Sequence, residues 1–150
     1  MAIPENFPVV DLCLNIPGED NSQWFEFIRP LLMDKESRDS FKMPAQYMFK
    51  NIPNITGEED FIAYTVAEMD KYDIRKAMLD VDEGNEVSKE ALARFPDRFF
   101  SSLSVDPNRG MDEVRKIVRL HKKFKLKAVT GFPSGTCPQV PINDKKWYPI

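Results

Sequence analysis

The sequence predicts an α/β protein with a parallel sheet, and three observations predict it. Short β-branched or apolar runs alternate with helical patterns along the chain, which is the signature of parallel strands joined by crossovers. Composition is that of a globular chain with material for one core: 150 residues, 42% hydrophobic and 30% charged. No GxGxxG or GxxxxGK[ST] motif marks a nucleotide-binding open sheet. Of the two architectures compatible with this alternation, the TIM-barrel-like (β/α)8 fold is therefore favoured, with only the first four βα units present.

Taken in order, VVDLCL (9–14), within a first-strand region at 8–15, reads as a strand from its β-branched and apolar content. Residues 22–32 have apolar residues at helical spacing, with Ser22 as a possible N-cap and Pro30 ending the helix. Residues 33–57 form a long excursion with Met43, Tyr47, Met48 and Phe49, expected to be a lid or a subunit contact. Thr56 is placed to cap an amphipathic helix through Phe61, Ile62, Thr65, Val66 and Met69. Then come a strand at 74–82, a helix at 86–95, a strand at 98–106 and a helix at 111–124. Met111, Val114, Ile117, Val118 and Leu120 are the expected apolar stripe of that last helix. A fourth strand spans 126–132. The final INDKKWYPI reads as the first turns of another helix, capped by Asn143 or Asp144, that stops in mid-pattern. Residues 58–150 thus hold units two to four and the start of the next helix, so the chain is expected to be the N-terminal half of a longer barrel.

Strand parity points to a site. Successive strand residues face opposite sides, and barrel active sites lie at the carboxyl ends of the strands. One set is apolar and suited to helix packing: Val10, Leu12, Leu14, Ala77, Leu79, Val81, Phe99, Leu103, Val105 and Val129. The other grows polar toward the strand ends. Asp11, Asp80, Asp82 and Asp106 are candidate catalytic carboxylates. Asn15, Arg109, Thr130 and Phe132 are candidate substrate-binding residues, and Cys13 shares that side. Carboxylates gathered at a dry rim repel one another, so a cation, Arg109 or raised pKa values must relieve them. Asp106 before Pro107, and Asp82, could instead cap turns.

A formal net charge of −3 speaks against a nucleic-acid partner. The basic run at 115–127 alternates with apolar residues at helical spacing and reads as a solvated helix face. No apolar run approaches the ~20 residues of a membrane span, and MAIPENFP lacks the features of a secretory signal. Cys13 and Cys137 form no CxxC pair, so reduced thiols and a cytoplasmic setting are expected. Cys13 has no nearby histidine to activate it. His121, the single histidine, falls near a helix C-terminus, where a structural place is expected.

The stretch from AEMDKYDIRKAML through NEVSKEALARFPDRF and SVDP to LKAVTGFPSG and INDKKWYPI resembles the amidohydrolase-related family, in the branch of aminocarboxymuconate-semialdehyde decarboxylase. The resemblance covers 58–150, with 8–15 matching by position. It implies a metal-dependent hydrolase or non-oxidative decarboxylase (a carbon–carbon lyase) on a distorted barrel, acting on a small organic substrate, often as a homo-oligomer, with one divalent metal (zinc or manganese). The family's first strand carries Asp-x-His-x-His, its histidines binding the metal; here the positions read Asp11-Leu12-Cys13-Leu14-Asn15, which makes Cys13 the candidate metal ligand that the resemblance implies. Its fourth strand often shows a Lys and a His, where Thr130 and Phe132 stand here. The departure leaves three expectations: a metal-assisted enzyme, a metal-free barrel serving as a binding or assembly module, or a metal-free lyase using the rim carboxylates.

Overall fold

A computed structural model describes residues 8–19, 22–40, 55 and 57–150. Four strands, β1 (Val9–Asp11), β2 (Ile74–Asp80), β3 (Phe99–Val105) and β4 (Ala128–Gly131), form one parallel sheet in the order β1-β2-β3-β4. Each crossover moves one strand along, and the sheet curls as half of a barrel would. The helices are α1 (Lys35–Asp39), α2 (Phe61–Lys71), α3 (Glu86–Arg94) and α4 (Met111–Phe124), with 3-10 segments at Ser22–Leu31, Pro107–Arg109, Pro133–Gly135 and Lys145–Trp147. No described helix is long and apolar enough to cross a membrane.

Local chemistry sets the boundaries. Asp60, four residues beyond Thr56, caps α2: its Oδ1 accepts the N–H of Ile62 and of Ala63 at 3.2 and 3.0 Å. Thr56 itself lies outside the described residues. Asn85 caps α3 by accepting the Ser88 N–H at 3.1 Å, and its Nδ2 donates to Asp80 O at 3.0 Å, fastening the helix start to the end of β2. Lys125 ends α4 in the left-handed region (φ 54°), its N–H donating to His121 O at 2.9 Å. Asp144 caps the last 3-10 turn through the Lys146 N–H at 2.9 Å.

Three expectations change. The first strand stops at Asp11 rather than Leu14, because the Asp11 carboxylate takes the Cys13 N–H at 2.8 Å and turns the chain. Residues 22–31 are 3-10 rather than α-helical; Pro30 lacks the N–H that an α-helical turn would use there. The excursion at 33–57 opens with α1, capped by Asp34 through the Ser37 N–H at 2.7 Å. Its remainder, at 41–54, lies outside the described residues, and the lid expectation with it.

The core lies on one side of the sheet. Ala77 and Leu79 of β2 and Phe99 of β3 pack with Ile62 and Met69 of α2 and Ala91 of α3. Val81, Leu103 and Val105 pack with Leu120 of α4 and with Leu126. These are the apolar positions of the expected alternation, and β2, β3 and β4 stay in step: Leu79 pairs with Ser101, Asp80 with Ser102, Ser104 with Thr130. In β1 the register slips between Val9 and Val10, which sets Asp11 beside Ala77, a helix-side position, and leaves Val10 and Leu12 exposed. On α4 the core-facing row is Glu113, Ile117, Leu120 and Phe124, while Met111 and Val118 of the expected stripe are exposed.

Asp60 also joins α2 to α3. Its carboxylate accepts from Arg94 Nη1 at 3.1 Å, and this bond, with the two backbone donors, holds its pKa at about 2 against an ordinary 3.8. A depressed carboxylate pKa contributes stability that is present above the unfolded value and lost as pH falls through the folded one. Wild type should therefore lose stability between pH 3.8 and about 2, and Asp60→Asn should flatten that part of the acid-unfolding curve. Superimposable curves for the two proteins would refute this.

Candidate functional site

A cavity of about 610 Å³ opens at the carboxyl ends of β2 and β3, with Asp80, Ser104 and Asp106 on its strand side. Arg109, Glu113 and Lys116 bring in the Pro107–Arg109 turn and the first turns of α4. The loop after β4 adds Phe132, Thr136 and Cys137, and Asn15 reaches in from the segment after β1. This is the end of a parallel α/β sheet at which ligands are generally bound.

Asp80 is the best-placed acid. The last residue of β2, it is half-buried, and its Oδ1 accepts the Ser104 N–H at 2.6 Å. Burial pushes its pKa up, against the pull of that hydrogen bond; the Asp82 charge raises it further and Lys116 opposes. A carboxyl held toward its protonated form inside a cavity is a feature of acid–base sites.

The other predicted residues divide. Asp106 lines the cavity, while its Oδ1 accepts the Asn108 N–H at 2.9 Å and caps the turn there. Asn15, Arg109 and Phe132 line it too. Asp82 is not among the lining residues: its Oδ1 takes the N–H of Gly84 and Asn85 at 2.7 and 2.8 Å, closing the turn into α3. Asp11 and Cys13 are outside as well, joined to each other by the turn that ends β1. Thr130 points its hydroxyl toward Leu103 O at 3.5 Å and does not line the cavity. His121 is exposed, with Nδ1 at 3.1 Å from Leu126 O, in keeping with a structural place at the end of α4.

Glu113 and Lys116 are additions that parity could not supply. Glu113 is 1% exposed on the core-facing row of α4. Its Oε1 accepts from Lys116 Nζ at 3.3 Å, and its Oε2, without a hydrogen bond, lies 3.5 Å from Arg109 Nε. One buried carboxylate thus holds two cations beside the mouth. The signal in the sequence was the spacing: Arg109, Glu113 and Lys116 stand at i, i+4 and i+7, and Glu113 falls in the row of Ile117, Leu120 and Phe124.

A cavity of about 680 Å³ lies at the opposite end of the strands, by Asp70, Tyr72 and Arg98. There Arg98 donates to Arg75 O and Ile74 O, both at 3.0 Å, and pairs with Asp70 at 2.7 Å. Its charges staple strand starts together, so the strand-end mouth is the better candidate.

The donor set that the family resemblance implies for a metal does not fit here. Asp11 is engaged by the Cys13 N–H, Cys13 is exposed, and Leu14 packs against the α2 core. Among the described residues no three His, Cys, Asp or Glu side chains converge on one point.

Gly131 ends β4 where the indole of Trp147 crosses it. A Cβ there would stand 2.6 and 2.7 Å from Trp147 Cζ3 and Cη2, and the indole is tethered by Nε1 to Val140 O at 3.3 Å. Gly131→Ala should therefore cost about 1–3 kcal/mol and shift the tryptophan emission as the ring is displaced. Unchanged urea midpoint and spectrum would refute the contact.

The fold and the cavity define an α/β chain with a cavity at the carboxyl ends of its strands. No family model matches the chain, and no curated protein or solved structure matches it either.

Proposed function

We propose that the chain supplies the first four units of an amidohydrolase-like (β/α)8 barrel that acts as a hydrolase or non-oxidative decarboxylase on a small carboxylated organic substrate. The observation that carries this reading is the half-buried Asp80, its pKa pushed up, in a cavity that also holds Arg109 and Lys116. The two cations offer a seat for a carboxylate. In the decarboxylation form, Asp80 passes its proton to the carbon bearing the carboxylate. The carbon–carbon bond then breaks, its electron pair restores the unsaturated system, and CO₂ leaves. Asp80 is reprotonated from water. No step uses a metal, since the donor set does not fit one.

The test is turnover of a panel of unsaturated and aromatic acids and their amides, followed by CO₂ release and product chromatography, with and without chelator. Chelator-insensitive turnover that depends on Asp80 is the expected result; no turnover and no binding would end the proposal. Ligand binding without turnover would favour the second reading, a barrel serving as a binding or assembly module, which the missing His pair at positions 13 and 15 motivates.

A further inference from the structure

We infer that Glu113 sets which acids the mouth admits: its buried carboxylate cancels one of the two cations there, so that the site takes a singly charged carboxylate and turns away a doubly charged one. The inference rests on the carboxylate seat in the reading above, and not on the chemistry proposed for Asp80.

The sequence brings the three groups together. Arg109 closes the Pro107–Arg109 turn, and Gly110, at φ 52°, passes the chain from that turn into α4. Glycine holds such a conformation without steric cost. Glu113 and Lys116 then fall in the first turns of α4, the acid near the helix N-terminus, where negative charge is favoured. Glu113 stands in the row that packs on the core and is 1% exposed, so its carboxylate cannot turn out to water without breaking that row. A buried carboxylate stripped of its partners is costly, which keeps Arg109 and Lys116 beside it.

These contacts hold the cations without using them up. Lys116 Nζ stands 3.3 Å from Oε1 and Arg109 Nε 3.5 Å from Oε2, both longer than the roughly 2.7–2.9 Å of a tight charge-assisted hydrogen bond. Oε2 accepts no hydrogen bond, so charge alone retains Arg109. No other acid pairs with either cation among the described residues, and the Arg109 side chain is 62% exposed. The Arg109 Nη groups and the Lys116 ammonium are thus left for a ligand in the cavity of about 610 Å³ that both residues line.

Charge then counts the ligand. Arg109 and Lys116 against Glu113 leave one net positive charge, which a single carboxylate neutralises. A second carboxylate finds no third cation among the described lining residues and meets Asp106 instead. Ionisation of Asp80 would only add to the negative side. Positioning lost on replacing Glu113 falls on every carboxylate alike and cancels when two acids are compared. The loss of charge does not cancel, because a dianion feels it twice. At about 7 Å, one ion-pair contact plus one hydrogen bond away, a unit charge in a half-buried site changes binding by more than about tenfold.

The experiment uses the full chain and three probes. Succinamide, succinamate and succinate match in size and at about pH 7.5 carry no, one and two negative charges. Being saturated, they offer no carbon for the proposed protonation, so calorimetry reads their binding free of turnover. Wild type should bind succinamate at least about tenfold tighter than either of the others. Glu113→Gln, which keeps the size of the side chain, should shift the ratio of succinate to succinamate affinity at least about fivefold toward succinate. A merely loosened fold would weaken all three probes together. Arg109→Gln, at an exposed side chain, should erase the preference for succinamate over succinamide. Wild type that binds succinate as tightly as succinamate overturns the inference. So does a folded Glu113→Gln with an unchanged ratio, or no binding of any probe at about 10 mM. The wild-type ranking needs no variant, so the test survives if Glu113→Gln fails to fold. Selective binding without turnover of any acid would leave the charge assignment standing and remove the enzymatic reading; turnover of singly and doubly charged acids with equal KM would do the reverse.

Discussion

Asp80→Asn should lower turnover by about 10²–10⁴-fold, the usual worth of a positioned proton donor, and at neutral pH it should make the protein more stable. Both expectations come from one geometry. Burial raises the Asp80 pKa while the Ser104 N–H and Lys116 pull it down. A carboxyl whose folded pKa lies above its unfolded value of 3.8 favours folding below that value, where it is protonated in both states. It loses that contribution as pH rises through the folded pKa. The amide never ionises and keeps an oxygen for the Ser104 N–H, so the variant should escape the loss. Thermal melts between pH 4 and 8 should therefore diverge, with the variant above wild type at the alkaline end. Activity lost together with stability across the whole range would indicate a structural role for Asp80 and remove it as the acid–base group. Lys116 gives the control: Lys116→Gln removes a charge that lowers the Asp80 pKa, so it should move the alkaline limb of the rate profile, where the proton donor ionises, upward in pH without abolishing turnover.

The same pairing of cost and use explains which parts of the site could be read from the sequence. Ala77, Leu79, Phe99, Leu103 and Val105 share one parity despite the interruptions at Arg75 and Ser101, and β2 and β3 fall within a residue or two of the expected bounds with that side buried. Asp80 and Asp106 reach the mouth because they stand at or just beyond the ends of those strands. Asp11 does not, because one hydrogen bond to the Cys13 N–H outweighs strand propensity in a three-residue edge strand, and a register slip turns its row. Competition between side-chain and ladder hydrogen bonds is a local choice that alternation cannot see. Asp82 shows the same thing: its spacing to Gly84 and Asn85 suits a turn better than a rim. Glu113 was hidden for a different reason. A charged residue in an apolar helical row looks like a break in the pattern until Arg109 and Lys116 are seen to flank it in space. The stripe was drawn too wide: Met111 and Val118 stand on the exposed side of α4, away from the core-facing row of Ile117, Leu120 and Phe124.

The same contrast between enclosed and exposed apolar positions leads to the second large effect. Leu103 and Val129 are register partners on adjacent strands and share the helix side of the sheet. Leu103 is 1% exposed, enclosed by Val81, Leu120 and Leu126, whereas Val129 is 42% exposed. Truncating a fully enclosed leucine loses its transfer free energy and leaves a cavity, so Leu103→Ala should cost about 2–5 kcal/mol. Against a total stability of about 5–15 kcal/mol for a domain, that is enough to leave part of the population unfolded. Val129→Ala, on the same side of the same sheet, should cost under about 1 kcal/mol, because a large share of the removed surface already meets water. Urea unfolding of both variants, read at the midpoint, compares the two costs directly. An equal cost for the two substitutions would mean that parity, not depth of coverage, sets the energetics of this sheet.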